Sequence, residues 1–129
     1  MNDIERFGSG GPYEALVGYS RVVRAGSVFV TAGCTSVVDG ELAHDGDAHA
    51  QAHTAFRIGL DALAAAGCPR ENVIQTRMYI TDRAHADDVG RAHYDLFHDV
   101  RPTTAMIIVA GFMDPRMLVE VELVGWAGH

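Results

Sequence analysis

Two carboxylates lie two residues apart in the segment LVEVELVGW, residues 118–126, whose other side chains are mostly apolar. Side chains alternate along a strand, so Glu120 and Glu122 share one face while the apolar residues between them take the other. A carboxylate in a partly apolar cleft has the raised pKa that general acid–base catalysis needs. We therefore take Glu120 as the candidate catalytic residue.

A structural role is the alternative for each charged residue in this region. Glu120 could pair across a subunit interface without taking part in any chemistry. Glu122 is expected to pair with an arginine, and Arg77 on a neighbouring predicted strand is the candidate partner. We therefore assign no catalytic role to Glu122 or Arg77.

The cysteines and histidines give no independent sign of a reactive site. Cys34 and Cys68 lack metal-type spacing, and no Cys/His pair comes with a visible orienting partner. His49 and His53 are four residues apart on a predicted helix, which puts both imidazoles on one face, but the sequence offers no third ligand. We therefore predict no metal site.

Length and charge narrow the class of protein. At 129 residues, the chain is long enough for one domain with its own core, which we expect to span residues 1–129. Ten basic residues face seventeen acidic ones, and this formal net charge of −7 disfavours a nucleic-acid partner. No apolar run approaches the roughly 18 residues of a membrane span. The first residues do not resemble a secretory signal, so we expect a cytoplasmic protein without a membrane partner.

Hydrophobic periodicity predicts the elements that must position Glu120. The order is β-β-α-β-α-β-β, with a short extra strand at IERFG, and DGELAHDGD is expected to be a polar loop. The first helix has Asp47 as its N-cap and ends before Gly67. The predicted elements are strands at 19–24, 28–31, 72–82, 103–111 and 118–126, and helices at 47–66 and 85–98.

This order predicts an α+β sandwich in which both helices cover one face of a mixed sheet. Ile74, Met78 and Ile80 are expected to point towards the helices. The other face would carry Met106, Ile108 and Tyr79 together with Glu120, Glu122 and Arg77. A face that mixes apolar and ionic groups is typical of a subunit interface lined with a polar site. We therefore expect an oligomer.

Five segments of the chain follow one another as the blocks of a known family do. They are GYSRVVRAGSVFVTAG, QAHTAFRIGLDALAAAG, NVIQTRMYITD, RPTTAMIIVAG and MLVEVEL, and the likeness runs from about Tyr13 to Trp126. In this respect the chain resembles the RidA/YjgF family of reactive-intermediate deaminases, sometimes labelled endoribonuclease L-PSP. The resemblance implies a homotrimer of chorismate-mutase-like α+β subunits, with helices outside and three sites in the clefts between subunits.

The resemblance also implies a chemistry and a set of site residues. Members hydrolyse enamines and imines to a keto acid and ammonia, without a metal or an organic cofactor. The glutamate that positions water corresponds to Glu120, and the residues lining the pocket correspond to Tyr19 and Gly33. The arginine that binds the substrate carboxylate is replaced by Thr104, and a threonine hydroxyl cannot supply the missing charge.

Three further residues, Cys34, Met106 and Arg91, enter the predicted site around this substitution. Cys34 follows the glycine of the pocket, and burial as an inert thiol is its alternative reading. Met106, one pleat beyond Thr104, would make the pocket floor more apolar. Arg91 on the second helix is favoured over Arg101 as the compensating cation. Arg101 is three residues before Thr104, so alternation along the strand would direct it to the opposite face.

The sequence thus favours a trimeric hydrolase that acts on an enamine, an imine or a similar small molecule, with Glu120 orienting or deprotonating water. The missing arginine argues against 2-aminoacrylate as the natural substrate. The alternative is a non-catalytic trimer that binds a small metabolite, or acts as a regulator, through the same clefts. A ribonuclease activity conflicts with the acidic charge balance.

Overall fold

A six-stranded mixed sheet is the framework of the molecule in the computed structural model, which describes residues 3–128. The strand order is β1-β2-β3-β8-β6-β7; β6 and β7 run parallel, and the other neighbours are antiparallel. The bounds are β1 Ile4–Phe7, β2 Val22–Ala25, β3 Val28–Thr31, β4 Val37–Val38, β5 Glu41–Leu42, β6 Val73–Ile80, β7 Thr103–Ile108 and β8 Val119–Trp126. The predicted order of main strands, including the extra N-terminal strand, is confirmed.

Helix α1, Ala48–Ala66, begins and ends at the residues that the sequence predicts. The Asp47 side chain accepts a hydrogen bond of 3.0 Å from Ala50 N, which satisfies one of the unpaired amides of the first turn. Gly67 adopts a left-handed conformation with φ of 107° and donates its N–H to the last turn. Both cap predictions are therefore confirmed.

Helix α2, Ala86–Phe97, lies beside α1 on the same face of the sheet. Its buried residues are Val89, Ala92, Leu96 and Phe97. The Arg70 guanidinium donates to the Leu96 carbonyl at 2.9 Å and to both oxygens of Asp99 at 2.8 and 2.9 Å. This arginine therefore caps the C-terminal end of α2 with a positive charge, as the helix dipole favours.

The hydrophobic core lies between the two helices and the sheet. Phe29, Phe56 and Phe97 are among its largest buried side chains, and Leu123 of β8 is buried with them. A methyl group added to Gly59 of α1 would stand 2.5 Å from Leu123 Cδ1. The absence of a side chain at this glycine therefore lets α1 lie close against the central strand of the sheet.

The sequence prediction for Ile74 is wrong. Val73 pairs with Gly125 and Gln75 with Val124, so one extra residue is inserted into β6 between them. This β-bulge leaves Ile74 49% exposed, whereas Met78 and Ile80 face the helices as predicted.

The face assigned to Met106 and Ile108 is also wrong. In the parallel β6–β7 register these residues lie beside Met78 and Ile80, whose side chains are buried under the helices. Met106 packs against the core from the edge of the sheet. Both faces of TTAMIIVAG are apolar, so its pattern does not reveal which one meets the core.

The segment predicted as a polar loop contains secondary structure of its own. Strands β4 and β5 form a two-stranded hairpin, with Val37 opposite Leu42 and Val38 opposite Glu41. The turn between them uses Asp39 and Gly40, both of which have positive φ.

The strand predicted at 19–24 begins three residues later, at Val22 of β2. Tyr19 therefore lies before the hairpin that β2 and β3 form.

The face of the sheet opposite the helices has an apolar part and a polar part. Val28, Val30 and Trp126 on β3 and β8 are each 40–51% exposed on this face. Glu120 and Glu122 occupy its centre, while Val119, Val121 and Leu123 are buried on the helix side, as predicted. Within residues 3–128, no helix is long and apolar enough to cross a bilayer.

Candidate functional site

The Glu120 carboxylate lies against the backbone of Gly33. A methyl group at position 33 would stand 2.6 Å from Glu120 Oε2, so only glycine leaves room for this carboxylate. The next residue, Cys34, exchanges two backbone hydrogen bonds of 2.8 and 2.9 Å with Val121. This bridge fixes the chain at Gly33 relative to β8, and with it the wall against which Glu120 rests.

Burial and charge both affect the protonation of Glu120. Desolvation of the half-buried side chain raises its pKa above the ordinary value of 4.5, and the neighbouring Glu122 carboxylate raises it further. The positive charge of Arg21 acts in the opposite direction. The environment thus raises the pKa of Glu120 towards the range that suits a general acid–base catalyst.

An open cavity of about 230 Å³ adjoins Glu120 on the uncovered face of the sheet. Its lining residues are Tyr79, Val109, Gly111, Phe112, Glu120 and Glu122. The cavity therefore combines two carboxylates and a phenol with an apolar wall, and it is large enough for a small metabolite.

Tyr79, and not Arg77, donates the hydrogen bond to Glu122 in this cavity, which corrects the pairing predicted from the sequence. Arg77 lies opposite Glu122 in the register and beside the Tyr79 hydroxyl. The hydrogen bond to Glu122, burial and the Glu122 charge raise the pKa of Tyr79, and Arg77 lowers it. The phenol therefore keeps its proton and remains a donor at neutral pH.

Arg21 is the cation that the sequence prediction missed. Its NH1 atom donates to the Gly33 carbonyl at 2.8 Å and approaches Cys34 Sγ at 3.6 Å. Its Nε atom lies 4.0 Å from Glu14 Oε2, and its guanidinium lies 5.9 Å from the Tyr19 ring centroid. Arg21 thereby links Tyr19 to the wall behind Glu120. The signal in the sequence was its alternation with buried Val22, which directs it to the uncovered face.

A second groove, of about 350 Å³, lies at the ends of α1 and α2. Arg57, Arg70, Asp61, Asp95 and Asp99 line it together with apolar residues. Arg70 is held by Asp99, and Asp95 Oδ2 lies 3.3 Å from His49 Nε2. Arg70, Asp99 and Asp95 therefore have partners, and the cavity at Glu120, where a carboxylate has a raised pKa, is the better candidate for chemistry.

Comparison with known proteins gives the family of this fold and site. The family model described as Endoribonuclease L-PSP matches residues 12–126. The structure of Rv2704 from Mycobacterium tuberculosis, a member of the YjgF/YER057c/UK114 family, is 36% identical with a TM-score of 0.87, covering 96% of this chain and 99% of that one. The chain belongs to the RidA/YjgF family.

Two further proteins resemble the chain over nearly its whole length. SCO2049, an uncharacterized protein of Streptomyces coelicolor, is 39% identical over 125 residues, which is 97% of this chain and 93% of that protein. PA3499 from Pseudomonas aeruginosa, a protein of unknown function, is 26% identical with a TM-score of 0.84, covering 98% of this chain and 94% of that one. These likenesses extend to both helices and the whole sheet.

The RidA/YjgF resemblance placed Cys34 near the pocket, but its side chain faces the helices. Cys34 is 1% exposed, and its backbone pairing with buried Val121 puts both side chains on the same side of the sheet. Burial raises the pKa of the Cys34 thiol. Its thiol therefore lies behind the Gly33 wall and does not line the cavity at Glu120.

Thr104 and Met106 do not share a face with Glu120 within one chain. Thr76 of β6 is fully buried, and its hydroxyl donates to Thr104 Oγ1 at 2.8 Å. The same hydroxyl oxygen lies 2.7 Å from His93 Nε2 on α2. Thr104 is thus tied to the helix side of the edge strand β7, on the face of the sheet opposite Glu120 of the same chain.

The two arginines considered as substitutes lie away from the Glu120 cavity. Arg91 is exposed on α2, where it pairs with Asp88 one turn earlier. Arg101 follows α2 with a φ of 59° and is also exposed. The structure therefore brings together Glu120, Gly33, Arg21 and, through Arg21, Tyr19, but it does not bring Arg91 to them.

The histidines of α1 and the remaining acidic residues form no metal site in the part of the chain that the structure describes. Among residues 3–128, no group of three or more His, Cys, Asp or Glu side chains is arranged to hold a metal ion. The rings of His49 and His53 lie 6.3 Å apart, and His49 contacts Asp95.

Proposed function

We propose that the chain is a hydrolase that deaminates a small enamine or imine, with Glu120 as its catalytic residue. One observation carries this proposal: the Glu120 carboxylate, whose pKa is raised, lies in a small cavity against the Gly33 backbone. A carboxylate in such a place can remove a proton from water and return it later in the reaction.

The reaction consists of proton transfers, the addition of water and the loss of ammonia, and it needs no oxidation or reduction. An enamine first gains a proton at carbon and becomes a protonated imine. Water then adds to the C=N carbon while Glu120 takes the proton that the water loses. Glu120 gives this proton to the amine nitrogen, the C–N bond breaks, and ammonia leaves. The hydroxyl proton passes to ammonia as the carbonyl forms, so the products are a carbonyl compound and ammonium.

We further propose a homotrimer whose sites lie between subunits. The apolar part of the uncovered sheet face, with Val28, Val30 and Trp126, would be buried by a neighbouring subunit. Thr104 and Met106 project to the other side of the sheet from Glu120, and a neighbour would bring them to the same cleft. The small-molecule substrate would therefore contact two chains at once.

The deaminase proposal is tested by supplying an unstable enamine in situ. A serine dehydratase generates 2-aminoacrylate, and pyruvate release is followed with and without this protein. A parallel assay generates benzaldimine from benzylamine with a flavin amine oxidase and follows benzaldehyde release, because this imine lacks a carboxylate and Thr104 replaces the family arginine. Acceleration of either reaction that Glu120→Gln abolishes supports the proposal. Glu41→Gln on exposed β5 is the matched control and should keep full activity.

The second candidate is a non-catalytic trimer that binds a metabolite in the same cleft. The observation that favours it is the residue at the position of the family arginine, which is the uncharged Thr104. Its hydroxyl accepts a hydrogen bond from Thr76. Thermal shifts with pyruvate, 2-oxobutanoate and aromatic acids would reveal such a ligand. A stabilising ligand, together with no acceleration of either imine hydrolysis, would favour this function over the deaminase.

A further inference from the structure

The cavity at Glu120 contains two residues whose role in the reaction is so far unassigned, Tyr79 and Glu122. Glu122 follows Glu120 on the same face of β8, and Tyr79 lies directly opposite Glu120 in the β6–β8 register. The Tyr79 hydroxyl reaches diagonally to Glu122 and donates to its Oε1 atom. All three side chains line the cavity.

The hydrogen-bonding capacity of this cavity is mostly that of an acceptor. Two carboxylates offer four oxygens, and the phenolic proton is already directed at one of them. The nearest guanidinium behind Glu120, that of Arg21, is engaged by the Gly33 carbonyl. Arg77, opposite Glu122, contacts the Tyr79 hydroxyl, is exposed to solvent and is not among the residues that line the cavity. The group that best complements such a cavity is a cation that donates hydrogen bonds.

We propose that Glu122, held in place by Tyr79, binds the protonated nitrogen of the substrate. This inference rests on the proposed deaminase function and divides the work between the two carboxylates. Glu120 moves the proton of water, whereas Glu122 accepts a hydrogen bond from the nitrogen. Tyr79 acts as a positioning residue, because it fixes the carboxylate that the nitrogen meets.

The spacing of the two glutamates suits this division. Side chains two residues apart on a strand emerge roughly 7 Å from each other, which leaves room for one water molecule and the C–N group between them. A nitrogen docked on Glu122 would direct the C=N carbon towards the water held by Glu120. The same negative charge would stabilise the iminium before water adds and the ammonium that leaves.

A direct test compares ammonium with potassium, two monovalent cations of similar size, of which only ammonium donates hydrogen bonds. Protein labelled with ¹³C at the glutamate carboxyls is titrated with ammonium chloride and, separately, with potassium chloride. The Glu122 signal is assigned by its loss in Glu122→Gln. We expect ammonium to shift the Glu122 signal saturably, and potassium to shift it little. Equal shifts with both salts, or none, would overturn the nitrogen site.

Two variants test the part that Tyr79 plays. Tyr79→Phe keeps the ring and removes the hydroxyl, so ammonium should bind Glu122 several-fold more weakly. Tyr13→Phe, on an exposed residue outside the cavity, is the control and should leave the titration unchanged. Full ammonium binding in Tyr79→Phe would remove Tyr79 from the site.

Kinetics separate this inference from the proposed function. Because a hydrogen bond to a charged group is lost, Glu122→Gln should raise KM for the imine about tenfold or more and lower kcat less. Activity that disappears in Glu120→Gln but is unchanged in Glu122→Gln would overturn the inference and leave the deaminase intact. A wild-type protein that hydrolyses no imine would refute the deaminase, while the ammonium titration decides the nitrogen site by itself.

Discussion

Gly33 and Glu120 are in contact across the sheet, and the carboxylate takes the space that a side chain at position 33 would need. A methyl group there would stand 2.6 Å from Oε2 and 2.7 Å from Cδ of Glu120. Contacts this short force one of the partners to move. The position of the proposed catalytic group therefore depends on a backbone that carries no side chain.

Gly33→Ala should reduce imine hydrolysis strongly by displacing the Glu120 carboxylate. A misplaced catalytic group commonly costs on the order of 100-fold in rate. The control is Gly90→Ala in α2, because nothing lies within 4 Å of a methyl group at that position. The measurements are kcat/KM and the circular dichroism spectrum of both variants. A Gly33→Ala protein that is folded and fully active would show that the contact does not position Glu120.

The pH dependence of activity should reflect the raised pKa of Glu120. Glu120 must be in its carboxylate form to take a proton from water, so kcat/KM should fall as the pH is lowered. The midpoint of this fall should lie above 4.5, the ordinary pKa of a glutamate. In Glu122→Gln the neighbouring negative charge is lost, and the midpoint of this fall should move to lower pH. A midpoint that stays in place would show that Glu122 does not act on Glu120.

The free energy of unfolding should also depend on the protonation of Glu120, but it should be higher when this carboxyl group is protonated, whereas activity needs the carboxylate. A carboxyl group whose pKa is raised by folding stabilises the folded state below pH 4.5 and loses this contribution as the pH rises through the folded pKa. Glu120→Gln should therefore be more stable than the wild type at pH 7, and the difference should vanish near pH 4. Urea denaturation at the two pH values measures it. A variant less stable at pH 7 would contradict the assigned cause of the pKa shift.

Thr76→Val should destabilise the fold, because the buried hydroxyl joins two elements. It contacts His93 Nε2 at 2.7 Å and donates to Thr104 Oγ1 at 2.8 Å, and valine would leave the half-buried imidazole without this partner. The expected loss in the free energy of unfolding is about 1–3 kcal/mol. Thr103→Val in β7 removes only an exposed hydrogen bond of 3.3 Å to the Ile74 carbonyl and should change it by less than about 0.5 kcal/mol. Equal effects of the two substitutions would contradict this reading.

Two helical glycines should respond in opposite directions to the same substitution. Gly59→Ala places a methyl group 2.5 Å from Leu123 Cδ1 and should cost about 1–3 kcal/mol through overpacking. Gly90→Ala meets open space and should stabilise α2 by about 0.5–1 kcal/mol. Thermal unfolding of both variants, measured side by side, checks the pair. A neutral Gly59→Ala would mean that α1 can move away from the sheet at little cost.

Local signals in the sequence were enough to predict the helices and the outward direction of Glu120. Asp47 and Gly67 mark the ends of α1 because capping depends only on neighbouring backbone. Likewise, the alternation in β8 is unambiguous, because apolar residues alternate with charged ones.

Features that depend on strand register could not be predicted in this way. The bulge at Ile74 requires knowledge of the partner strand, and the direction of Met106 depends on the parallel pairing with Met78. The same is true of the site, because Tyr79 reaches Glu122 only through the β6–β8 register. The alternation of Arg21 with Val22 gives the direction of its side chain, but its hydrogen bond to the Gly33 carbonyl depends on how a loop packs against β8, which no local pattern predicts.

The burial of both cysteines has a consequence for following motion in this molecule. Cys34 lies under Gly59 of α1, and Cys68 lies at the end of that helix against Gly125. Desolvation raises the pKa of each thiol, so neither thiol is reactive while α1 stays packed on the sheet. The rate at which an alkylating reagent labels each thiol would therefore report how often the corresponding part of α1 separates from the sheet. The two native cysteines thus serve as probes of local opening without any substitution.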